Sequence, residues 1–431
     1  MSPVSVSNEN SVKDGFCERS TTSMPLIFGL FVYTMSWSAV FRLGDWFPLP
    51  FLLLLVCCCM KLIGSIVTLL RSRGVKFINN YSDIFVILFL SYLLVNVLLL
   101  PNVKSANYLL AYFVIFSCFI LLSGMVIPEC RIEKLLFVNY CGVNTVCIFI
   151  LVEVLGRTFF DFNIFDFISR TKDATATVGG VIYRGYGLST EPTQVGNYFC
   201  CFMPYAIYYR AALSPRNTGL YAIILVLCAI LTFSAGLIIV ASISAVVFLI
   251  LKSRPRAFLQ AIPFATGAVI FLVTVISILQ EPYSSMAILV FDILSNKLSL
   301  STDGTSVSTR LAALGNAFDA WRQSPFLGLG LGDWSAAGMD SPMNWYVMLG
   351  SETGVIGLVL VATWITLQLI NSLLLFLRYR TGLAAICVTS LLAGAFYFVF
   401  VSTFQNFYFL ASVLFLRTVK LEYKRGLSPH A

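Results

Sequence analysis

The sequence predicts an all-α polytopic membrane protein with about twelve transmembrane helices and two long loops on the non-cytoplasmic side. Of its 431 residues, 58% are hydrophobic and only 11% are charged, whereas soluble domains carry roughly 25% charged residues. Apolar runs of about 20 residues recur along the chain, and each is long enough to cross a hydrocarbon core about 30 Å thick. The connections between these runs are alternately rich and poor in basic residues, which is typical of loops on opposite sides of a membrane.

The predicted organisation is a cytoplasmic tail at 1–23, a single transmembrane domain at 24–419 and a second cytoplasmic tail at 420–431. The first tail is polar and mixed in charge, which is typical of a short cytoplasmic segment and not of a cleavable signal. The predicted spans lie at 24–43, 47–70, 84–100, 108–127, 135–155, 194–210, 218–234, 236–251, 258–279, 345–371, 383–401 and 404–419.

The distribution of charge orients these spans. The predicted inner side has a net charge of +11 and the predicted outer side a net charge of −4. Because Lys and Arg accumulate on the cytoplasmic side, both termini are expected to be cytoplasmic. The excess positive charge is therefore a topology signal, and we expect no nucleic-acid partner.

Two predicted outer loops are long, at 156–193 and 280–344. Long connections between helices are uncommon and tend to be functional, so an active site is expected there. Within the second loop, 309–323 has the spacing of a short amphipathic helix, with Ser308 or Thr309 as its cap. Its apolar positions are Leu311, Leu314, Ala317, Phe318 and Trp321.

Cysteine and histidine usage excludes several kinds of chemistry. Nearly all of the twelve cysteines lie in or beside apolar runs, where they are expected to be small packing residues. The single histidine, His430, is one residue from the end of the chain. Zinc sites and histidine general bases are therefore not expected.

Arg184 and Glu191 lie in the polar, glycine-rich stretch Tyr183–Gly196 just before a span. The planar fork of an arginine suits diphosphate or carboxylate oxygens, although Arg184 is equally well explained as a residue that extends to lipid headgroups. A carboxylate such as Glu191 either forms an ion pair with Arg184 or acts as a general base in a pocket of low dielectric constant.

The second long loop contains Arg310, Arg322 and the glycine-rich run 324–332. The two arginines are twelve residues apart, and we expect them near one face of the loop helix. The glycines do not match a nucleotide-binding pattern, and they are expected to let the backbone pass close to a lipid-borne substrate or a neighbouring helix. Lys61, within a span, is interpreted as the partner of a buried acid or as a site residue.

These loops resemble the O-antigen ligase and polymerase superfamily. The stretch TRLAALGNAFDAWRQSPFLGLGLGDW followed by MNWYVMLGSETGVIGL is similar to the family's arginine, glycine turn and glutamate, and RGYGLSTEPT is similar to its other outer-loop motif. The residues that fit are Arg184, Glu191, Arg310, Pro325, Gly328, Gly330, Gly332, Asn344, Glu352, Gly354 and Gly357. Ligases of the family have a histidine before the asparagine, where this chain has Met343, and this favours a Wzy-type polymerase.

The resemblance implies an inverting glycosyltransferase that polymerises undecaprenyl-diphosphate-linked repeat units at the periplasmic face of a bacterial inner membrane. Arg310 and Arg184 would stabilise the diphosphate, and Glu191 would be the base, with Glu352 as the next candidate. No cofactor or metal is expected. The further substrate-binding candidates are Arg322, Tyr183, Asn344, Tyr346 and Glu352. The aromatic residues expected either to stack on sugars or, equally, to anchor the chain at the membrane interface are Tyr183, Tyr186, Trp334, Trp345 and Tyr346.

The expected partners are the lipid-linked glycans, membrane lipid, a chain-length regulator and a flippase. Three alternatives remain: a lipid-linked oligosaccharide flippase, a ligase-type transferase and a scaffold protein of the envelope. A flippase usually has two similar halves with short loops, whereas the long loops here are asymmetric.

Overall fold

The computed structural model describes residues 25–38, 48–70, 80–160, 177–178, 182–232, 234–252, 305–337, 342–401 and 407–426. Within these ranges the chain forms thirteen α-helices and a single pair of two-residue antiparallel strands. The helices are α1 (Leu26–Thr34), α2 (Leu49–Leu70), α3 (Asp83–Leu99), α4 (Ser105–Leu121), α5 (Ile132–Phe160), α6 (Pro192–Leu213), α7 (Thr218–Ile230), α8 (Ala235–Lys252), α9 (Thr305–Gln323), α10 (Asp333–Ala336), α11 (Trp345–Tyr379), α12 (Gly382–Tyr397) and α13 (Tyr408–Lys424). The strands are β1 (Thr177–Val178) and β2 (Ile182–Tyr183).

The predicted helical class is confirmed, and most described helices begin and end within about five residues of the predicted span limits, whereas α1 ends at Thr34 and not near 43, and α11 continues to Tyr379 and not to 371. Three described helical stretches are long and apolar enough to cross a membrane: Ser105–Glu129, Ile132–Phe160 and Trp345–Tyr379. Five more apolar helices in the described ranges are shorter. The predicted span 258–279 lies outside the described residues, so the count of twelve stays a prediction.

Apolar side chains cover the outside of the helices as well as the core, and a minority of polar side chains is buried between helices, which is the arrangement expected of a protein whose surroundings are lipid. Leu220 is 65% exposed and Ile250 is 64% exposed, whereas Asn96 and Asn139 are fully buried. Lipid solvates the apolar faces, and buried hydroxyl and amide groups pair with backbone carbonyls of neighbouring helices. Asn139, for example, donates to the carbonyl of Phe202 at 3.0 Å. The apolar composition therefore covers the outside of the helix bundle as well as its core.

Helix α12 is the centre of the bundle. It packs against α6, α8, α11 and α13. Most of its side chains from Leu383 to Ala395 are buried, and several are alanine, serine or glycine. Small residues allow neighbouring backbones to approach closely, and this compensates for the lack of a hydrophobic driving force between helices in lipid.

Charged pairs gather at the end of the bundle that is predicted to be cytoplasmic. Arg417 is buried beside Asp83, with Nη1 and Oδ2 3.0 Å apart, and its guanidinium stacks over Phe119 at 4.7 Å. Lys61 pairs with Glu129, so the partner that the sequence left unnamed is an acid at the inner end of the fourth span, half-exposed and not buried. These pairs neutralise charges that would be costly if left unpaired near lipid.

The cysteines have the packing role that their positions predict. The eleven described cysteines are all free, and nine of them are buried. A free buried cysteine behaves as a small apolar residue.

The predicted topology can be tested at two exposed positions on opposite ends of the bundle. Val103, 85% exposed between α3 and α4, is predicted to be outside, and the exposed Asn217, between α6 and α7, is predicted to be inside. In a cysteine-free background, a membrane-impermeant maleimide applied to whole cells is expected to label Val103→Cys and not Asn217→Cys, because of the charge bias. Labelling of Asn217→Cys alone would invert the assigned topology.

Candidate functional site

The first motif forms an irregular segment that is buried under the outer ends of the helices. Residues 185–190 are all buried, and they run from strand β2 to the start of helix α6. Arg184 is half-buried at the beginning of this segment, and its Nε atom lies 3.4 Å from the carbonyl oxygen of Thr232. The side chain of Tyr183 lies outside the described residues. Arg184 is thus anchored at the end of α7.

Two backbone amides of this segment bind a carboxylate that the sequence reasoning missed. Glu153 of α5 accepts hydrogen bonds from the amides of Tyr186 and Gly187 at 2.8 and 2.9 Å, through the single oxygen Oε2. Its other oxygen, Oε1, lies 3.8 Å from Arg157. The only signal in the sequence was an acidic residue within an apolar run, and such residues are usually functional.

Glu191 is the N-cap residue of α6, with Pro192 in the first helical position. Its side chain is half-buried, and Oε2 accepts a hydrogen bond from the hydroxyl of Thr193 at 3.0 Å. Among the described residues, no Lys or Arg nitrogen lies within 4.0 Å of this carboxylate, so the expected alternative of an ion pair with Arg184 is wrong. The carboxylate is instead placed at the positive end of a helix dipole, facing partly outward.

The second motif folds as a glycine turn packed directly on the first turns of α11. The amide of Leu329 donates to the carbonyl of Ser351 at 2.8 Å, and the amide of Gly330 donates to the carbonyl of Glu352 at 3.0 Å. A Cβ atom at Gly328 would lie 2.3 Å from the carbonyl carbon of Glu352. The glycines of this turn therefore allow close approach to a neighbouring helix, which is one of the two roles expected for them.

Gly354 makes the same contact from the side of α11. Its backbone, with φ 67° and ψ −170°, interrupts the helical geometry of α11, and a Cβ atom there would lie 2.1 Å from the carbonyl oxygen of Phe326. The amide of Val355, freed at this kink, donates to the carbonyl of Pro325 at 2.8 Å. The kink in α11 and the glycine turn are therefore one structural unit.

Gly354→Ala is expected to destabilise the protein by about 2–6 kcal/mol. A non-glycine residue with the backbone conformation of Gly354 costs about 1–3 kcal/mol, and the steric overlap of its methyl group with Phe326 adds about 1–3 kcal/mol. The matched control is Gly315→Ala in α9, where no heavy atom lies within 4 Å of the added methyl group. Thermal unfolding of the purified proteins compares the two. Equal midpoints for both variants would contradict the close packing of the turn on α11.

Two asparagines at and after the end of α3 bind the glycine turn, and a tyrosine of α3 binds α11 beside it. Asn96 of α3 donates to the carbonyl of Leu327 at 2.7 Å and accepts from the amide of Leu331 at 3.2 Å. Asn102 donates to the carbonyl of Leu331 at 2.9 Å, and Tyr92 donates to the carbonyl of Thr353 at 2.5 Å. The turn is therefore positioned by α3 as well as by α11.

Helix α9 runs from Thr305 to Gln323, so the predicted cap residues Ser308 and Thr309 lie inside the helix and that prediction is wrong. The helix packs against α11 through Ala313, Ala317 and Ala320, which are buried. Phe318, predicted on the apolar face, is 42% exposed. The helix is amphipathic, but its buried face is lined by small residues because α11 lies close.

The two arginines of α9 lie on different faces of the helix, contrary to the prediction. Twelve residues correspond to a rotation of about 120°. Position 310 falls one turn before Ala313, in register with the face that packs on α11, and its side chain lies outside the described residues. Arg322 is 81% exposed in its side chain and pairs with Asp319 at 3.1 Å.

Glu352 is buried beneath the glycine turn. The residue is 1% exposed, and its Oε2 atom has no hydrogen-bond partner among the described residues. The backbone amide of Gly332 approaches the same carboxylate. The glycine turn packs on the backbone of Glu352 and is one of the elements that bury this residue.

Most of the conspicuous aromatic residues support the fold at this end of the bundle. Tyr186, Trp334 and Trp345 are at most 3% exposed, so they are neither stacking platforms on a surface nor interface anchors, as had been expected. Tyr346 is half-buried, and its hydroxyl donates to the carbonyl of Ala395 at 2.7 Å. Asn344 caps α11, with Oδ1 accepting from the amide of Val347 at 3.2 Å.

The two motifs converge on the last turns of α12. On one side, the hydroxyl of Tyr397 lies 3.1 Å from Ser234 Oγ and would lie 2.4 Å from a Cβ atom at Gly196, in the first turns of α6. On the other side, the carbonyl of Phe398 accepts from the amide of Trp345, the first residue of α11, at 2.8 Å. The segments that carry Glu191 and Glu352 therefore share one supporting element.

A comparison with protein families matches residues 220–362 to the O-antigen ligase family. Over these residues, about a third of the chain, the protein is similar to the O-antigen ligase/polymerase superfamily. The matched region includes the second motif, with the glycine turn and Glu352, and it ends within α11. No curated protein matches the chain.

Members of this superfamily are glycosyltransferase-like enzymes, both polymerases and ligases. The long apolar helices agree with a membrane protein of this superfamily. Within the described ranges, no group of three or more His, Cys, Asp and Glu side chains is arranged to hold a metal ion.

Proposed function

We propose that this protein is a Wzy-type polysaccharide polymerase, which transfers a glycan from its undecaprenyl-diphosphate carrier to the non-reducing end of a lipid-linked repeat unit. The observation that carries the choice of polymerase over ligase is Met343, which is 38% exposed beside the capping residue Asn344. Ligases have a histidine at this position, and the only histidine of this chain is His430. A polymerase of this kind would work at the periplasmic face of a bacterial inner membrane.

The reaction needs a base for one hydroxyl and a counter-charge for the leaving group. The acceptor oxygen attacks the anomeric carbon, the bond from that carbon to the diphosphate oxygen breaks, and the configuration inverts. Glu191 takes the proton of the acceptor hydroxyl, since its carboxylate is only half-buried and no Lys or Arg nitrogen of the described residues lies within 4.0 Å of it. Arg184 and Arg310 stabilise the diphosphate, and they do so without a metal ion.

The other site candidates have supporting roles in this scheme. Tyr183 and Tyr346 lie at the edges of the two motifs, where they would contact the sugars. Arg322 is exposed and extends from the end of α9, so it would meet the lipid diphosphate only as this approaches the site. Asn344 and Glu352 hold the start of α11, and through it the turn that faces the substrate.

The proposed function is tested by reconstitution of the purified chain in liposomes with lipid-linked repeat units. A ladder of products that differ by one repeat unit is expected. Transfer to a lipid A-core acceptor without a ladder would make the protein a ligase. Translocation of the lipid-linked unit without transfer would make it a flippase, and neither activity would leave a scaffold protein. A chain-length regulator, if added, is expected to change the length of the ladder and not its existence.

A further inference from the structure

We propose that Glu153 is a positioning residue of this site: its carboxylate holds the segment 184–191 so that Arg184 and Glu191 face the substrate. Glu153 belongs to α5 and lies outside both sequence motifs and outside the family match at 220–362. The effect on activity rests on the proposed function, whereas the effect on the segment itself does not.

The segment needs partners because it is irregular and buried at once. Loops normally lie on the surface, since buried backbone amides must find acceptors. The amide of Gly185 donates to the carbonyl of Leu231 at 2.9 Å, and the amide of Thr190 donates to Ser38 Oγ at 3.2 Å. Between these two points, the amides of Tyr186 and Gly187 both donate to Glu153 Oε2.

The glycines of the segment serve this contact with α5. A Cβ atom at Gly185 would lie 2.7 Å from Cγ2 of Ile150, one turn before Glu153. Gly187 has a φ of +54°, and a Cβ atom there would lie 3.3 Å from Cγ1 of Ile150. Two successive amides that converge on one oxygen form an anion-binding arrangement, and here it is filled by a side chain of the protein. The same amides are therefore not open to the diphosphate of a substrate.

The contact between Glu153 and the segment lies in the interior of the protein, beside a cation. The side chain of Glu153 is fully buried, and Arg157, one turn later, lies 3.8 Å away. Because buried amides must find acceptors, removal of the oxygen that two of them share weakens the hold on the segment. Because Arg184 is two residues before Tyr186 and Glu191 is four residues after Gly187, both are displaced when the segment is released.

The first test measures the segment directly, without glycosyl transfer. In hydrogen–deuterium exchange on the full-length detergent-solubilised protein, Glu153→Leu is expected to speed exchange in 184–191 by at least about tenfold, because its two amides lose their acceptor. Glu153→Gln keeps a neutral acceptor and is expected to lie between this variant and the wild type. The matched control is Glu422→Leu at the opposite end of the bundle, where a 3% exposed carboxylate accepts from the amide of Ile132 at 3.4 Å and lies 3.8 Å from Arg131. Unchanged exchange in 184–191 of Glu153→Leu would overturn the proposal.

The second test asks whether Glu153 acts through Arg184. In the reconstituted ladder assay, the KM for the lipid-linked donor is expected to rise at least about tenfold in Glu153→Leu, with a smaller rise in Glu153→Gln. In the double variant Glu153→Leu/Arg184→Ala, the KM for the donor is expected to be no higher than in Arg184→Ala alone, because Glu153 affects donor binding through Arg184 and residues that act as a unit are not additive. Glu422→Leu should instead combine independently with Arg184→Ala.

If Glu153→Leu is not abundant in membranes, the same comparison of single and double variants is made with Glu153→Gln. Fully multiplicative defects for Glu153 and Arg184 would overturn the positioning role. A wild-type protein that makes no polymer would refute the proposed function, and the exchange experiment would still decide the role of Glu153.

Discussion

Arg310→Ala is expected to abolish long-chain polymer, with a loss of at least about 10²-fold in turnover, while the protein remains at its normal level in the membrane. The diphosphate leaving group gains negative charge in the transition state, and an arginine presents several donors to it in one plane. Position 310 lies on the face of α9 that packs on α11, one turn before the buried Ala313. Arg310→Lys is expected to restore little, because lysine retains the charge but not the fork.

The control for Arg310 is an arginine of the opposite side. Arg216 is exposed in the short helix Pro215–Asn217, on the predicted cytoplasmic side, and Arg216→Ala is expected to retain polymer formation. Polymer length is read from ladders of reconstituted product, and abundance from immunoblots of the membrane fraction. Near-normal polymer from Arg310→Ala would reduce this arginine to an anchor at the membrane interface.

Glu191→Gln is expected to lower turnover by about 10²–10⁴-fold, the usual loss when a general base is removed. Glutamine retains the shape of the side chain and can still accept a hydrogen bond from Thr193, but it cannot take a proton. A purely structural carboxylate near the surface would be worth only about 0–1 kcal/mol, and glutamine would then be tolerated. The rate of ladder formation with purified lipid-linked repeats measures the difference.

Glu352→Gln is the discriminating companion of this variant, and Glu133→Gln, an exposed carboxylate on the predicted inner side, is the control. Glu352 is 1% exposed beneath the glycine turn, whereas Glu191 is half-exposed at the start of α6, which favours Glu191 as the group that meets the acceptor hydroxyl. Wild-type turnover of Glu191→Gln together with an inactive but folded Glu352→Gln would move the role of the base to Glu352.

The sequence by itself determined the helical class and the approximate limits of the helices, because apolar runs of about 20 residues have few alternatives to a helix in lipid. The sequence also identified two unusual segments, 184–191 and the glycine turn, because their composition differs from that of ordinary loops. The two outer-loop motifs, in their order along the chain, were enough to indicate the superfamily, and the absence of a usable histidine bears only on the choice between polymerase and ligase.

Only the tertiary structure decided which of these residues contact one another. Glu153 and Asn96 lie in apolar helices far along the chain from the motifs they hold, and no periodicity connects them to Tyr186 or Leu331. The sequence placed the start of α9 at Ser308 or Thr309, because the cap was chosen from local sequence, whereas the helix already includes Thr305. It also placed Arg310 and Arg322 near one face, although helix positions twelve residues apart differ by a rotation of about 120°. Backbone amides in irregular segments have no partner within a helix or strand, so they take their acceptors from whichever segment packs against them. Tertiary packing, and not local sequence, therefore decides which distant segments pair.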